Sequence, residues 1–205
     1  MNQVQKDNYP LMTKEWVEII SNFINSHSNI TMLEYGSGNS TTFWAEFQKI
    51  KKLVSVEADS EWYNKVCQRI DGLSTEQKEK IYYKFINVNQ EKLKELNKKG
   101  GIISWNEHKQ FWKPYCDFLD ELVDDSFDLI IIDGYDRKRT FLDSLKKLKK
   151  RGWIIMHDML PSEFDNLYSP KDKKIIDLQD FKMVFNCHKF GNGRGNQGFV
   201  LEKIK

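Results

Sequence analysis

The chain has 205 residues, 40% hydrophobic, 13% aromatic and 30% charged, which supplies apolar material for one core and argues against intrinsic disorder. Thirty-two basic residues against thirty acidic ones leave a formal charge of +2, which gives no electrostatic reason to expect nucleic acid or an anionic membrane as partner. Three widely spaced cysteines, Cys67, Cys116 and Cys187, form no CxxC pair and exclude a disulfide scaffold or a cysteine zinc cluster.

In chain order, Thr13 is expected to cap an amphipathic helix with Trp16, Ile19, Ile20 and Phe23 on one face. ITMLEY (30–35) reads as a short apolar strand that runs into GSGNS, with Ser40 capping a helix to about Gln48. LVSVEA (53–58) is a second strand, followed by a helix over 60–70 capped by Ser60. IYYKFINV (81–88) is a third, and the charged helix after it ends at Gly100–Gly101. Over 107–123, Phe111, Tyr115, Phe118, Leu119 and Leu122 fall at helical spacing and read as core. Trp105 and Trp112 lie off that face, as pocket walls would. FDLIIID (127–133) is apolar in the manner of a parallel strand buried on both faces. A Lys- and Leu-rich helix (139–150) should carry the basic run Lys146–Arg151 at its C-terminus as a solvated face, before the strand WIIMH (153–157). A polar loop with Pro161 and Pro170 follows, and then two strands, within 180–190 and 197–204, flank the turn-rich GNGRGN as a hairpin.

Alternating strands and helices predict an α/β doubly wound sheet. Residues 1–29 read as an N-terminal helical extension and 30–205 as the α/β domain, a single domain overall. MNQVQKDNYPLM has no apolar core, and the longest apolar runs are too short to cross a bilayer, so a cytoplasmic location with no membrane partner is expected.

The candidate site starts where the first strand ends at Glu34. Gly36 and Gly38 allow a tight turn and close backbone approach to a ligand at a helix start. Glu57 closes the second strand nineteen positions after Gly38, where a carboxylate can accept hydrogen bonds from both hydroxyls of a ribose. The third glycine of a dinucleotide fingerprint would fall at position 41, where Thr41 stands. Asp133 ends the fourth strand, and His157 and Asp158 end the fifth, at the same crevice beyond the strand ends.

LEYGSGNST, VSVEAD, FDLIIIDG and GWIIMHD, in this order and spacing, resemble the class I S-adenosylmethionine-dependent methyltransferases from about residue 30 to the C-terminus. The resemblance implies a Rossmann-like, mostly parallel seven-stranded sheet with a C-terminal antiparallel hairpin. It implies S-adenosylmethionine as cofactor, with Tyr35, Gly36, Ser37, Gly38, Ser40 and Thr41 around its methionine carboxylate and Glu34 near its ammonium. Glu57 would take the ribose, with Ala58 and Asp59 beside the adenine. Asn89, with Asn87 and Gln90 as alternatives, would read the adenine amine.

Transfer to a hydroxyl requires removal of its proton, and His157 is the base candidate; its other reading is a hydrogen-bonded strand-end histidine that shapes the pocket. Asp133 and Asp158 resemble the carboxylates of metal-dependent O-methyltransferases, which leaves a divalent cation such as magnesium open, with Asp136 and Glu163 in local reach. Asp133 has a second reading, direct contact with cofactor or acceptor. Arg137 and Arg139 read as solvated, or as contacts to an anionic acceptor. The expectation is O-methylation of a small-molecule acceptor such as a sugar or biosynthetic intermediate, with no nucleic-acid partner and the oligomeric state open. Two other readings stand beside it: an NAD(P)-dependent oxidoreductase, disfavoured by Thr41 and the lack of a Tyr-xxx-Lys motif, and a non-catalytic methyltransferase-like binding domain.

Overall fold

The structure is a computed structural model that describes residues 9–99, 105–159, 180–187 and 197–205. Its strands are β1 (Ile30–Tyr35), β2 (Ile50–Glu57), β3 (Ile81–Phe85), β4 (Phe127–Ile132), β5 (Leu148–His157), β6 (Phe181–Cys187) and β7 (Gly198–Lys203). The helices are α1 (Lys14–Ser26), α2 (Asn39–Ala45), α3 (Ser60–Asp71), α4 (Thr75–Glu79), α5 (Gln90–Lys99), α6 (Trp105–Phe111), α7 (Lys113–Asp117) and α8 (Arg137–Ser144). One seven-stranded sheet runs β3-β2-β1-β4-β5-β7-β6. Strands β1 to β5 are parallel, and β7 pairs antiparallel with both β5 and β6, which is the expected fold. The chain steps outward from β1 to β3 and then returns to the other side of β1 as β4. That reversal opens a crevice beyond the C-terminal ends of β1 and β4.

Side chains alternate across the sheet with a period of two, which splits the core into two layers. Ile30, Met32, Leu53, Leu129, Ile131, Ile155 and Val200 face α1 and α2. Leu33, Tyr35, Val54, Val56, Ile130, Ile132, Ile154 and Met156 face the layer that includes Leu93, Tyr115, Leu119 and Phe141. Helix α1 buries Trp16, Val17, Ile20, Phe23 and Ile24. Val17 and Ile24 therefore join the predicted face, and Ile19 is only partly buried at its edge.

Two predicted caps move by one or two residues. Gly38 is the N-cap of α2, and its N–H donates to Thr41 Oγ1 at 3.1 Å. Asp59, not Ser60, caps α3 by accepting from the N–H groups of Glu61 and Trp62. The basic run is not a helix end. Helix α8 stops at Ser144, a 3₁₀ turn covers Leu145–Lys147, and β5 begins at Leu148. Lys147 is buried, with Nζ 2.6 Å from Asp124 and 2.5 Å from the Leu122 carbonyl; Lys149 meets Asp128 at 2.8 Å. Those acidic partners, at 124 and 128, take Lys147 and Lys149 out of the expected solvated face, while Lys146, Lys150 and Arg151 remain exposed. Among the described residues no helix is long and apolar enough to cross a membrane. The Pro161–Pro170 loop and the GNGRGN turn lie outside the described residues.

Candidate functional site

Parity decides which side chains meet at the strand ends. Counting by two from Met32, Leu53, Ile131 and Ile155 leads to Glu34, Ser55, Glu57, Asp133 and His157. All five belong to the α1–α2 face. Glu34 is buried at the end of β1, where Oε2 accepts from Thr41 Oγ1 at 2.5 Å and Ser55 Oγ at 2.7 Å. Its other oxygen, Oε1, is buried without a partner among the described residues. Burial outweighs the hydroxyl donors and pushes the Glu34 carboxyl up to about 7 from an ordinary 4.5.

The turn after β1 is held by backbone. Gly36 has φ +90°, donates to Val56 O at 3.0 Å, and lies so close to the next crossover that an added Cβ would be 2.6 Å from Gly134 N. Glu57 is buried beside it. Its Oε1 accepts from the N–H groups of Ala58 (2.8 Å) and Asp59 (2.9 Å), and Oε2 accepts from Ser37 Oγ at 3.0 Å. Desolvation raises the Glu57 carboxyl too, against the pull of those donors.

Asp133 follows β4, and its Oδ1 lies 3.2 Å from both Arg137 and His157 Nδ1. Arg137 also donates to the Asp133 carbonyl (3.1 Å) and the Asp158 carbonyl (2.9 Å), which ties the ends of β4 and β5 together. His157 is only 2% exposed and meets the Trp16 ring edge-on. Both ring nitrogens are buried without a hydrogen-bond partner among the described residues, so the approach of Nδ1 to Asp133 Oδ1 is a 3.2 Å contact and not a formed hydrogen bond.

A cavity of about 1010 Å³ opens over these strand ends. Gly36, Ser37, Glu57, Asp59 and Asp133 line it, and Gly38 and Ser40 line a small adjoining recess. Other predicted residues support the site from behind. Tyr35 is buried in the opposite layer, with its hydroxyl 3.4 Å from the Tyr115 carbonyl, and Thr41 is buried between Glu34 and Gly38. Ala58 is buried and gives its carbonyl to Gln90. His157 and Asp158 are outside the lining, the former buried behind Asp133. Asn89, expected beside the adenine, stands at the start of α5, where its side-chain oxygen accepts from Lys92 N–H at 2.9 Å. Gln90 instead bridges the loops after β2 and β3, donating to Ala58 O and Val88 O and accepting from Ser60 N.

Arg137 and Arg139 are correspondingly not solvated: both are about one-quarter exposed and ion-paired, Arg139 with Asp117 and Asp143. Trp112 is core and stacks on Tyr135 at 4.3 Å; the Trp105 side chain lies outside what is described. Among the described residues no group of three or more His, Cys, Asp or Glu side chains could hold a metal, and Asp133 is already committed to Arg137 and His157. This donor set does not fit a divalent cation. Glu163 lies outside the described residues.

Sequence reasoning passed over Trp62, whose indole N–H donates to Ser37 O at 2.5 Å, and Tyr83, whose hydroxyl is 2.6 Å from Ser37 Oγ. Tyr83 pairs in register with Ser55, so strand parity alone would have placed it on the Glu57 side.

A family profile described as a methyltransferase domain matches residues 33–159. No curated protein matches the sequence. Solved structures share the fold at low identity. A methyltransferase-like protein from Silicibacter pomeroyi is 16% identical with a TM-score of 0.61, over 95% of this chain and 88% of that one. A Streptococcus mutans protein in complex with SAH is 12% identical with a TM-score of 0.59, over 94% and 100%. An rRNA methylase from Streptococcus thermophilus is 15% identical with a TM-score of 0.57, over 95% and 99%. The last corrects the expectation of no nucleic-acid partner, because the same fold serves an rRNA methylase and a near-neutral total charge does not decide the acceptor class.

Proposed function

The chain belongs to the methyltransferase-domain family and is an S-adenosylmethionine-dependent methyltransferase; from that premise we propose that its cofactor lies over the Gly36–Ser40 turn and along Glu57 and Asp59. The observation that carries this assignment is the pair of buried carboxylates, Glu34 and Glu57, on one sheet face beside a turn where backbone alone forms the floor. The partnerless Glu34 Oε1 is suited to an ammonium, and Glu57 to ribose hydroxyls once Ser37 yields its place. When bound, the cofactor supplies an electrophilic methyl group on a sulfonium.

The part of the wall that includes Tyr135, Asp136, Arg137, Lys138 and Met159 is where we seat the acceptor. At about 1010 Å³ the cavity is at the upper end of single-ligand pockets of roughly 300–1,000 Å³, which suits a cofactor together with a small acceptor. We assign the methyl group to an oxygen of a small molecule. Asp133 faces that acceptor, and His157 stands behind it to share a hydroxyl proton received at Oδ1. No step is assigned to a metal ion.

Calorimetric titration with S-adenosylmethionine, S-adenosylhomocysteine and NAD in parallel tests the cofactor assignment. The adenosyl ligands alone should bind, and Glu57→Gln should weaken them by about tenfold or more through loss of a charged hydrogen-bond acceptor. Equal affinity in that variant removes the ribose assignment, and binding of NAD alone overturns the reading. An acceptor screen that includes RNA beside small hydroxyl compounds tests the second half; methylation of RNA alone would overturn the small-molecule assignment.

A further inference from the structure

We propose that Leu11, with Met12 beside it, forms an outer wall of the cofactor site and covers the aliphatic and sulfonium part of the ligand opposite Trp62. The inference rests on the cofactor reading above and adds residues that the family match, which begins at 33, does not reach. The segment before α1 is anchored on α2. Asn39 Nδ2 donates to Tyr9 O at 3.1 Å, the Tyr9 ring meets Phe43 edge-on at 5.6 Å, and Pro10 is buried. This anchoring brings Leu11 to the rim of the main cavity and, together with Met12, to the recess of about 60 Å³ over Ser37, Gly38 and Ser40.

Trp62 lines the same two spaces and is fixed there by its bond to Ser37 O. Leu11 is nevertheless 75% exposed. A single exposed leucine is ordinary on a protein surface. One that follows a residue pinned to the helix after the glycine turn, and which borders the cavity, has apolar area that a ligand in that cavity would cover. Methylene groups and a methyl on sulfur supply such a surface, whereas a carboxylate or a phosphate does not.

High exposure makes the test clean, because truncation at this position removes little packing from the protein itself. Full-length Leu11→Ser should bind S-adenosylhomocysteine about fivefold more weakly with an unchanged melting temperature, and Leu11→Met should retain the affinity. Val123→Ser, at 74% exposure and away from the cavity, should change neither quantity. If the unaltered chain binds and Leu11→Ser binds equally well, the wall assignment is overturned while the cofactor reading stands. If the unaltered chain does not bind, the cofactor reading falls first and the wall assignment falls with it.

Discussion

At the scale of single residues, the site separates groups that touch the cavity from groups that hold them. Asp133 touches it; His157, fully enclosed between Asp133 and Trp16, does not. His157 can still take part through Asp133 Oδ1, 3.2 Å away, and the two roles open to it give different kinetics. His157→Gln should lower kcat by about a hundredfold while leaving S-adenosylhomocysteine affinity unchanged. A variant with normal turnover would leave His157 a packing residue. Glu57 was placed at its strand end from sequence alone because it sits at a fixed offset from the glycine turn. The solvated reading of Arg137 fails because its partners, the carbonyls of Asp133 and Asp158, are set by the juxtaposition of β4 and β5.

At the scale of elements, the β1–α2 turn contains two glycines with different reasons for being glycine. Gly36 has a positive φ, and a Cβ there would strike the backbone of Gly134, so Gly36→Ala should destabilise the protein by at least about 2 kcal/mol in denaturant unfolding. Gly38 is extended, and the nearest atoms to an added Cβ are 3.8 Å away. Gly38→Ala should therefore fold with stability within about 0.5 kcal/mol of the parent yet lose cofactor affinity, since the methyl group enters the recess. The opposite pattern, normal binding with lost stability, would show that this glycine serves the turn and not the ligand. The β5 strand shows where local pattern misleads. Leu148 pairs with Phe127 and Trp153 with Leu129, so the residues between are looped out, with Arg151 at φ +65°. Periodicity cannot reveal an irregular register of this kind, because it is fixed by the neighbouring strand.

At the scale of the whole molecule, the sheet is sealed on one face by α1, whose buried residues share a layer with Met32, Ile131 and Val200. The segment read as an extension thus packs into the same core as the strands. Protons are also counted at this scale. Glu34 carries a folded-state value of about 7 against 4.5, so the folded chain holds its proton through a range where the unfolded chain has released it. Its contribution to stability is complete below about 4.5 and is lost as the pH rises through about 7. Glu34→Gln should remove about 2 kcal/mol of the fall in unfolding free energy between roughly pH 5 and 8. An identical pH dependence in parent and variant would mean that Glu34 is ionised throughout, with a partner on Oε1.

The succession of strands and helices, the glycine turn, the acidic strand ends and the closing hairpin were legible in the sequence because each depends on local chemistry: hydrophobic periodicity, a turn that needs glycine, an acidic residue at a strand end. The two-layer sorting of Glu34, Ser55, Glu57, Asp133 and His157 was also latent there, as parity. What only the tertiary structure decided was occupancy: which carboxylates are already bonded, which rings face the cavity, and that Leu11 lies beside a turn twenty-five residues later. Such facts depend on which elements pack together, and the free energy that selects that packing comes from long-range contacts that no local pattern encodes.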